Sequence, residues 1–256
     1  MSDYLKHLLV RTPLEVPAQW LRELTGVWER RRHPELRELH RESRHVNRLL
    51  RRRLRETSNC IDVGCHIGSM LSVILRLAPG GQHLAFEPIA RKARWLRRKF
   101  PEVDVRNCAL GESAGEVTFF ENVERSGFSG MRRHDCGDGT VVETRIECRR
   151  LDDEVGEGHA VHFVKVDVEG GELGVFRGAR RVLEQQRPLL VFECTGSGLA
   201  AFGSTARELF DYLGELGYGV FLAKDALAGG APLDVAGFEA AQRFPFKAFN
   251  FVAQPD

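Results

Sequence analysis

The chain reads as a doubly wound α/β domain with a mostly parallel sheet, preceded by a helical extension. Three observations carry that expectation. Short apolar runs alternate with amphipathic helical stretches from residue 57 onward, the rhythm of strand–helix–strand units with right-handed crossovers. A glycine-bearing turn, Val63-Gly64-Cys65-His66-Ile67-Gly68, joins the first run to the first helix. Acidic residues stand at the ends of later runs, where open parallel sheets bind ligands.

The elements follow in order. Residues 17–56 read as helical, with Trp20, Leu21 and Leu24 and then Leu36, Leu39, Val46, Leu49, Leu50 and Leu54 recurring at three- and four-residue steps. Arginines crowd the stretch from Arg30 to Arg55. A nucleic-acid helix is one explanation; a solvated face whose leucines dock on the main domain is the favoured one. The boundary is placed at 56/57: residues 1–56 form the extension, a lid or oligomer contact, and residues 57–256 the catalytic domain. Strands are expected at 60–63, 83–86, 103–110, 116–121, 141–148, 162–166, 188–193, 218–222 and 247–253. Helices are expected over Met70–Leu77, Ile89–Phe100 and 171–185, and from Thr205, capped with Glu208, to Gly217. The two strands around 116–148 have no helix between them and flank a Gly/Ser-rich loop, RSGFSGMRRHDCGDG.

Composition narrows the function. Apolar residues make up 43% of the chain, enough for a full core, and the net charge of +1 gives no global attraction to nucleic acid or anionic membrane. The six cysteines (Cys60, Cys65, Cys108, Cys136, Cys148, Cys194) are scattered without a C-x-x-C pair, and read as reduced thiols of a cytoplasmic protein. No apolar run approaches the ~18 residues of a membrane span.

The chemistry concentrates at two places. Gly64 permits a sharp turn and Gly68 a close approach at the helix start, whose free amides suit a polar ligand group. Asp62, just before the turn, suits a cationic α-amino group, and Glu87 after the second strand suits the two hydroxyls of a ribose. His66 stands where a dinucleotide fingerprint has its middle glycine, which argues against a pyrophosphate and hence NAD. A loop-lining role for His66 is favoured over that of a base. The second place is Lys165-Val166-Asp167-Val168-Glu169-Gly170-Gly171-Glu172, with Glu193 ending the next strand. Asp167, Glu169 and Glu193 would share the rim of one cleft, where carboxylates can take a proton from a hydroxyl or bind a metal that lowers its pKa. Capping of the following helix by Asp167 and Glu169, with Glu172 in its first turn complementing the dipole, is the competing explanation.

IDVGCHIG, then FEP, NCALGE, RLDDEV and FVKVDVEGGELGVFRGA resemble the FkbM-type methyltransferase family over roughly residues 59 to 195, most specifically in KVDVEGGE. Members are class I, Rossmann-like enzymes that use S-adenosylmethionine, commonly O-methyltransferases acting on sugars, polyketides or other secondary metabolites. The resemblance implies cofactor contacts at Asp62, Gly64, His66, Gly68 and Glu87, adenine-side contacts near Asn107 and Ala109, and a reaction centre lined by Asp167 and Glu169. Substrate choice falls to the N-terminal helices and the segment after 195. A divalent metal is admitted but not favoured. The acceptor is expected to be a small hydroxylated molecule rather than nucleic acid or membrane, and homo-oligomerisation is open. A nucleic-acid methyltransferase is the first alternative, but the Asn/Asp-Pro-Pro-Tyr/Phe motif that grips a flipped base is absent. A nicotinamide-dependent oxidoreductase is the second; it needs a tighter glycine loop and an acid–base pair not found among three tyrosines.

Overall fold

The computed structural model describes residues 9–15, 17–18, 32–123, 129–132 and 140–255. Trp20, Leu21, Leu24, Cys136 and most of the RSGFSGMRRHDCGDG loop lie outside the described residues.

A 3-10 turn at Pro34–Leu36 precedes helix α1 (Leu39–Arg53). Then follow β1 (Cys60–Val63), α2 (Ser69–Leu77), β2 (His83–Phe86), α3 (Ala90–Lys99) and β3 (Val103–Arg106). An insertion comes next: β4 (Ala109–Leu110), β5 (Gly115–Asn122) and β6 (Val141–Arg149). The main domain resumes with α4 (Leu151–Glu154), β7 (Phe163–Val166), α5 (Glu172–Arg177), α6 (Arg180–Gln186) and β8 (Leu189–Glu193). It ends with α7 (Gly196–Ala201), α8 (Ala206–Glu215), β9 (Tyr218–Leu222), α9 (Ala223–Ala228), α10 (Val235–Ala241) and β10 (Asn250–Pro255).

Seven strands form one sheet in the order β3-β2-β1-β7-β8-β10-β9, parallel except for β10, which runs antiparallel between β8 and β9. The order reverses at β1/β7, so the carboxyl ends of those strands open on a topological switch point. Buried side chains divide into two layers. Leu71 and Ile74 of α2, Ala93 and Leu96 of α3, and Val46, Leu49 and Leu50 of α1 pack on one face. Leu173 and Phe176 of α5, Val182 and Leu183 of α6, Leu209 and Leu213 of α8 and Phe238 of α10 pack on the other. The leucines of the arginine-rich helix therefore dock on the main sheet, and α1 also touches α2 and α9. Two of its arginines reach the C-terminal half: Arg52 donates to Leu227 O and Arg53 to the Gln254 side chain.

The structure corrects three sequence expectations. The strand expected at 103–110 is two strands in two sheets, broken at Asn107, whose side-chain amide donates to Glu87 O and Pro88 O. The helix expected at 171–185 is broken at Gly178, where a Cβ would lie 2.0 Å from Gly111 O. Asp152 of the RLDDEV run then caps α6 from outside, accepting from the Arg181 and Val182 amides. The last strand starts at Asn250, and the short helices α7, α9 and α10 carried too little periodicity to be read. The expected strands at 116–121 and 141–148 form an antiparallel hairpin.

Candidate active site

The first cluster forms around the β1–α2 turn. Asp62 is 1% exposed, and its Oδ2 has no hydrogen-bond partner among the described residues. Burial pushes its carboxyl up to about 7, against the pull of Lys165. A buried, unpartnered carboxylate oxygen is costly unless a ligand or water completes it. Gly64 has φ +77°, and a Cβ there would lie 1.8 Å from Asp167 O, so it is the backbone of β7's end that requires glycine. We expect Gly64→Ala to lower stability by more than about 3 kcal/mol, the scale of severe backbone lesions, while Gly156→Ala, which meets nothing within 4 Å, leaves thermal unfolding unchanged.

His66 also adopts the left-handed region, with φ +50°, a conformation that asparagine, aspartate and histidine tolerate better than most residues. Its backbone N–H donates to Glu87 Oε2 at 2.9 Å, while Ile89 N–H donates to Oε1 at 2.9 Å. Glu87 is thus buried and braced by two amides; burial raises its pKa, countered first by Lys92. Each oxygen retains a second lone pair for a ligand. Gly68, with φ +72°, begins α2, and a Cβ on it would lie 2.4 Å from Phe100 Cε2. The close approach at that helix start is to Leu96 and Phe100 at the end of α3. Asn107 is tied to the Glu87–Pro88 backbone, and Ala109, 7% exposed, sits in the small sheet opposite Cys148.

The second cluster lies beside the first, since β1 pairs with β7 and Asp167 N–H donates to Val63 O. Asp167, Glu169 and Glu193 each bring a carboxylate oxygen to within 4.8 Å of the others. Such spacing suits a shared proton or a divalent cation equally. None of them caps α5, whose N-cap Gly171 has no side-chain cap. Glu172, 1% exposed at the first position of α5, accepts from the Val168 and Gly170 amides and so ties down the turn that precedes the helix. Burial pushes Glu193 up to about 9, reinforced by the neighbouring Asp167 charge. Burial and Asp167 likewise push Glu169 up to about 8.

Lys165 and Glu42 complete the centre, and neither was picked out as a site residue from the sequence. Lys165 is 5% exposed; its Nζ lies 3.2 Å from Asp167 Oδ2 and donates to Val166 O at 3.1 Å. Burial disfavours its charge, but Asp167, Glu193 and Asp62 outweigh that and raise its pKa. Glu42 of α1 accepts from the Phe249 and Asn250 amides, fixing the start of β10, and Asn250 stands opposite Glu193. Helix α1 is therefore anchored next to the acid cluster. The alternation of strand side chains places Asp62, Lys165 and Glu193 on the α1 face of the sheet.

A seven-stranded sheet with one antiparallel strand, a glycine turn after β1, and acids ending β1, β2, β7 and β8 describes a class I methyltransferase. The family model for the methyltransferase FkbM domain matches residues 62–220. The chain belongs to the FkbM methyltransferase family. Among relatives of this FkbM protein is the AMB antimetabolite synthetase AmbE of Pseudomonas aeruginosa, 27% identical over 209 residues. That match covers 66% of this chain and spans only 10% of the synthetase. Among solved structures, methyltransferase FkbM from Methylobacillus flagellatus KT is similar at 18% identity and TM-score 0.48, covering 79% of this chain and 44% of that one. SMU.1697c, a putative methyltransferase of Streptococcus mutans in complex with SAH, is similar at 11% identity and TM-score 0.46, covering 83% and 97%. The five described cysteines are buried and free, and no helix among the described residues is long and apolar enough to cross a membrane.

Proposed function

We propose that this FkbM methyltransferase transfers a methyl group from S-adenosylmethionine to a hydroxyl of a small molecule, with the Asp167–Glu193 pair accepting the hydroxyl proton. The observation that supports it is the convergence of Asp167, Glu169 and Glu193 beside the turn that carries the unpartnered Asp62 Oδ2. The residues of that turn fit the cofactor. Asp62 would hold the α-ammonium of the methionyl end, and the remaining lone pairs of Glu87 would take the ribose hydroxyls. When bound, the cofactor supplies an electrophilic methyl group on a sulfonium. What this chain must add is alignment and removal of one proton. Lys165 holds negative charge on the Asp167 side of the pair, so a proton leaving the acceptor oxygen has a carboxylate to go to. The relative named as an antimetabolite synthetase supports a small-molecule acceptor.

The same convergence favours a second arrangement, in which the three acids hold a divalent cation that acidifies the hydroxyl. Loss of turnover in chelator, restored by magnesium, would establish it; indifference to chelator would leave the proton pair. The cofactor assignment has its own test. S-adenosylhomocysteine should raise the melting temperature, because a ligand of the native state stabilises it. Glu87→Ala should weaken that binding by about 1.5–3 kcal/mol, the scale for hydrogen bonds to a charged group. Stabilisation by NADH and not by S-adenosylhomocysteine would overturn the assignment.

A further inference from the structure

The inserted sheet has an open side. Strand β5 pairs along β6 from Val141 to Cys148, whereas β4 occupies the other edge of β6 only at Cys148 and Arg149. Among the described residues, the outer edge of β6 from Val141 to Glu147 has no strand partner. On the inner side Val123 N–H donates to Thr140 O; on the outer side Gly111 N–H donates to Arg149 O. Hydrogen-bonding groups alternate sides along a strand, so the amides and carbonyls of residues 141, 143, 145 and 147 point outward. Such a row is a template for another strand.

The side chains along this edge decide which strand. Val142, Glu143, Thr144, Arg145 and Glu147 are exposed and Ile146 is half-buried. Arg145 lies 3.8 Å from Glu116 with both 66% exposed, an ion pair of little worth. We infer that the outer edge of β6 pairs antiparallel with the same edge of a second copy, forming a two-fold dimer with Thr144 on the axis. Closed symmetry requires the same patch on both subunits, and β4 limits the usable edge to 141–147, whose midpoint is Thr144. In that register Glu143 of one copy faces Arg145 of the other, twice by symmetry. On the opposite face Val142 meets Ile146 and Thr144 meets Thr144. Both faces match.

Neighbouring registers do not. An axis at Glu143 sets two glutamates opposite each other. An axis at Arg145 opposes two arginines and also brings Glu143 against Glu147. Like charges directly opposite are destabilising. An axis at Ile146 would carry Glu143 to Arg149, where β4 already sits. Among axes from Glu143 to Ile146, charge order and edge length thus select one arrangement. The β5–β6 hairpin also carries two exposed large hydrophobics, Val123 at 48% and Val142 at 42%.

Light scattering of the full chain should give about twice its 28.9 kDa mass. R145E sets carboxylates opposite each other and should raise the dimer dissociation constant at least tenfold, while E143R/R145E restores opposite charges and the dimer. These residues are exposed, so unchanged thermal unfolding under monomeric conditions will show that each variant folds. T144C should form an intermolecular disulfide on mild oxidation, because the two side chains meet at the axis; V142C should not. A protein monomeric at all concentrations, or a dimer indifferent to R145E and without a T144C cross-link, would overturn the inference.

Discussion

Replacing Asp62 with Asn is expected to stabilise the protein without ligand at pH 8 and to abolish most of its cofactor affinity. The native state holds this carboxyl's proton up to about 7, whereas the unfolded chain releases it near the ordinary aspartate value of 3.8. A pKa raised on folding contributes most below the unfolded value, and that contribution is lost as pH rises through the folded one. Wild-type stability should therefore fall between about pH 4 and pH 7, and Asn, which carries no charge, should remove that share of the slope. At about 1.4 kcal/mol per pKa unit the gain at pH 8 is at most ~4 kcal/mol, reduced by whatever Lys165 loses. S-adenosylhomocysteine binding should weaken at least tenfold, since a neutral amide forfeits the charge-assisted contact. Thermal melts at pH 5 and pH 8, with and without the ligand, read both effects. Equal ligand affinity, or a loss of stability at pH 8, would remove Asp62 from the role proposed for it.

The architecture was legible because the governing residues are local. CIDV, HLAF and PLLVFE are buried runs bounded by turn residues, and the structure has strands at each. Breaks within elements were not legible, since their causes are distant in sequence: Gly178 yields to Gly111, and Asn107 reaches back to Glu87 and Pro88. The acids at the strand ends could be named as candidates from position alone. Their mutual approach, and the buried Lys165 between them, required the pairing of β1, β7 and β8. Glu42 left a signal that went unused. It lies on the stripe of Val46, Leu49 and Leu50, where an acid must find donors, and it finds the amides of Phe249 and Asn250. Gly64 and Gly68 are required by Asp167 and Phe100 of the protein itself.

Asp167→Asn and Glu193→Gln should each lower turnover about a hundred- to ten-thousandfold, the usual contribution of a positioned base. Both keep shape and remove charge, so affinity for S-adenosylhomocysteine should survive. The Glu193 carboxyl holds its proton up to about 9, so a pair that must accept a proton gains capacity as pH rises toward that value. Wild-type turnover should therefore climb from neutral pH toward pH 9, and Glu193→Gln should flatten the climb. A flat wild-type profile with both variants near normal would reduce these acids to rim charges. Because the two carboxylates lie within 4.8 Å of each other and act as one pair, the two substitutions should not add: the double variant should fall little below the worse single one.

The most direct test of the account is product analysis by mass spectrometry. Purified protein would be incubated with methyl-labelled S-adenosylmethionine and a panel of hydroxylated sugars and natural products, in wild-type and Asp167→Asn forms, with and without chelator. A labelled methyl ether is expected on at least one acceptor with the wild type, and its loss with Asp167→Asn while the cofactor still binds. A label carried on nitrogen or carbon, or the same ether formed at the same rate by Asp167→Asn, would contradict that expectation.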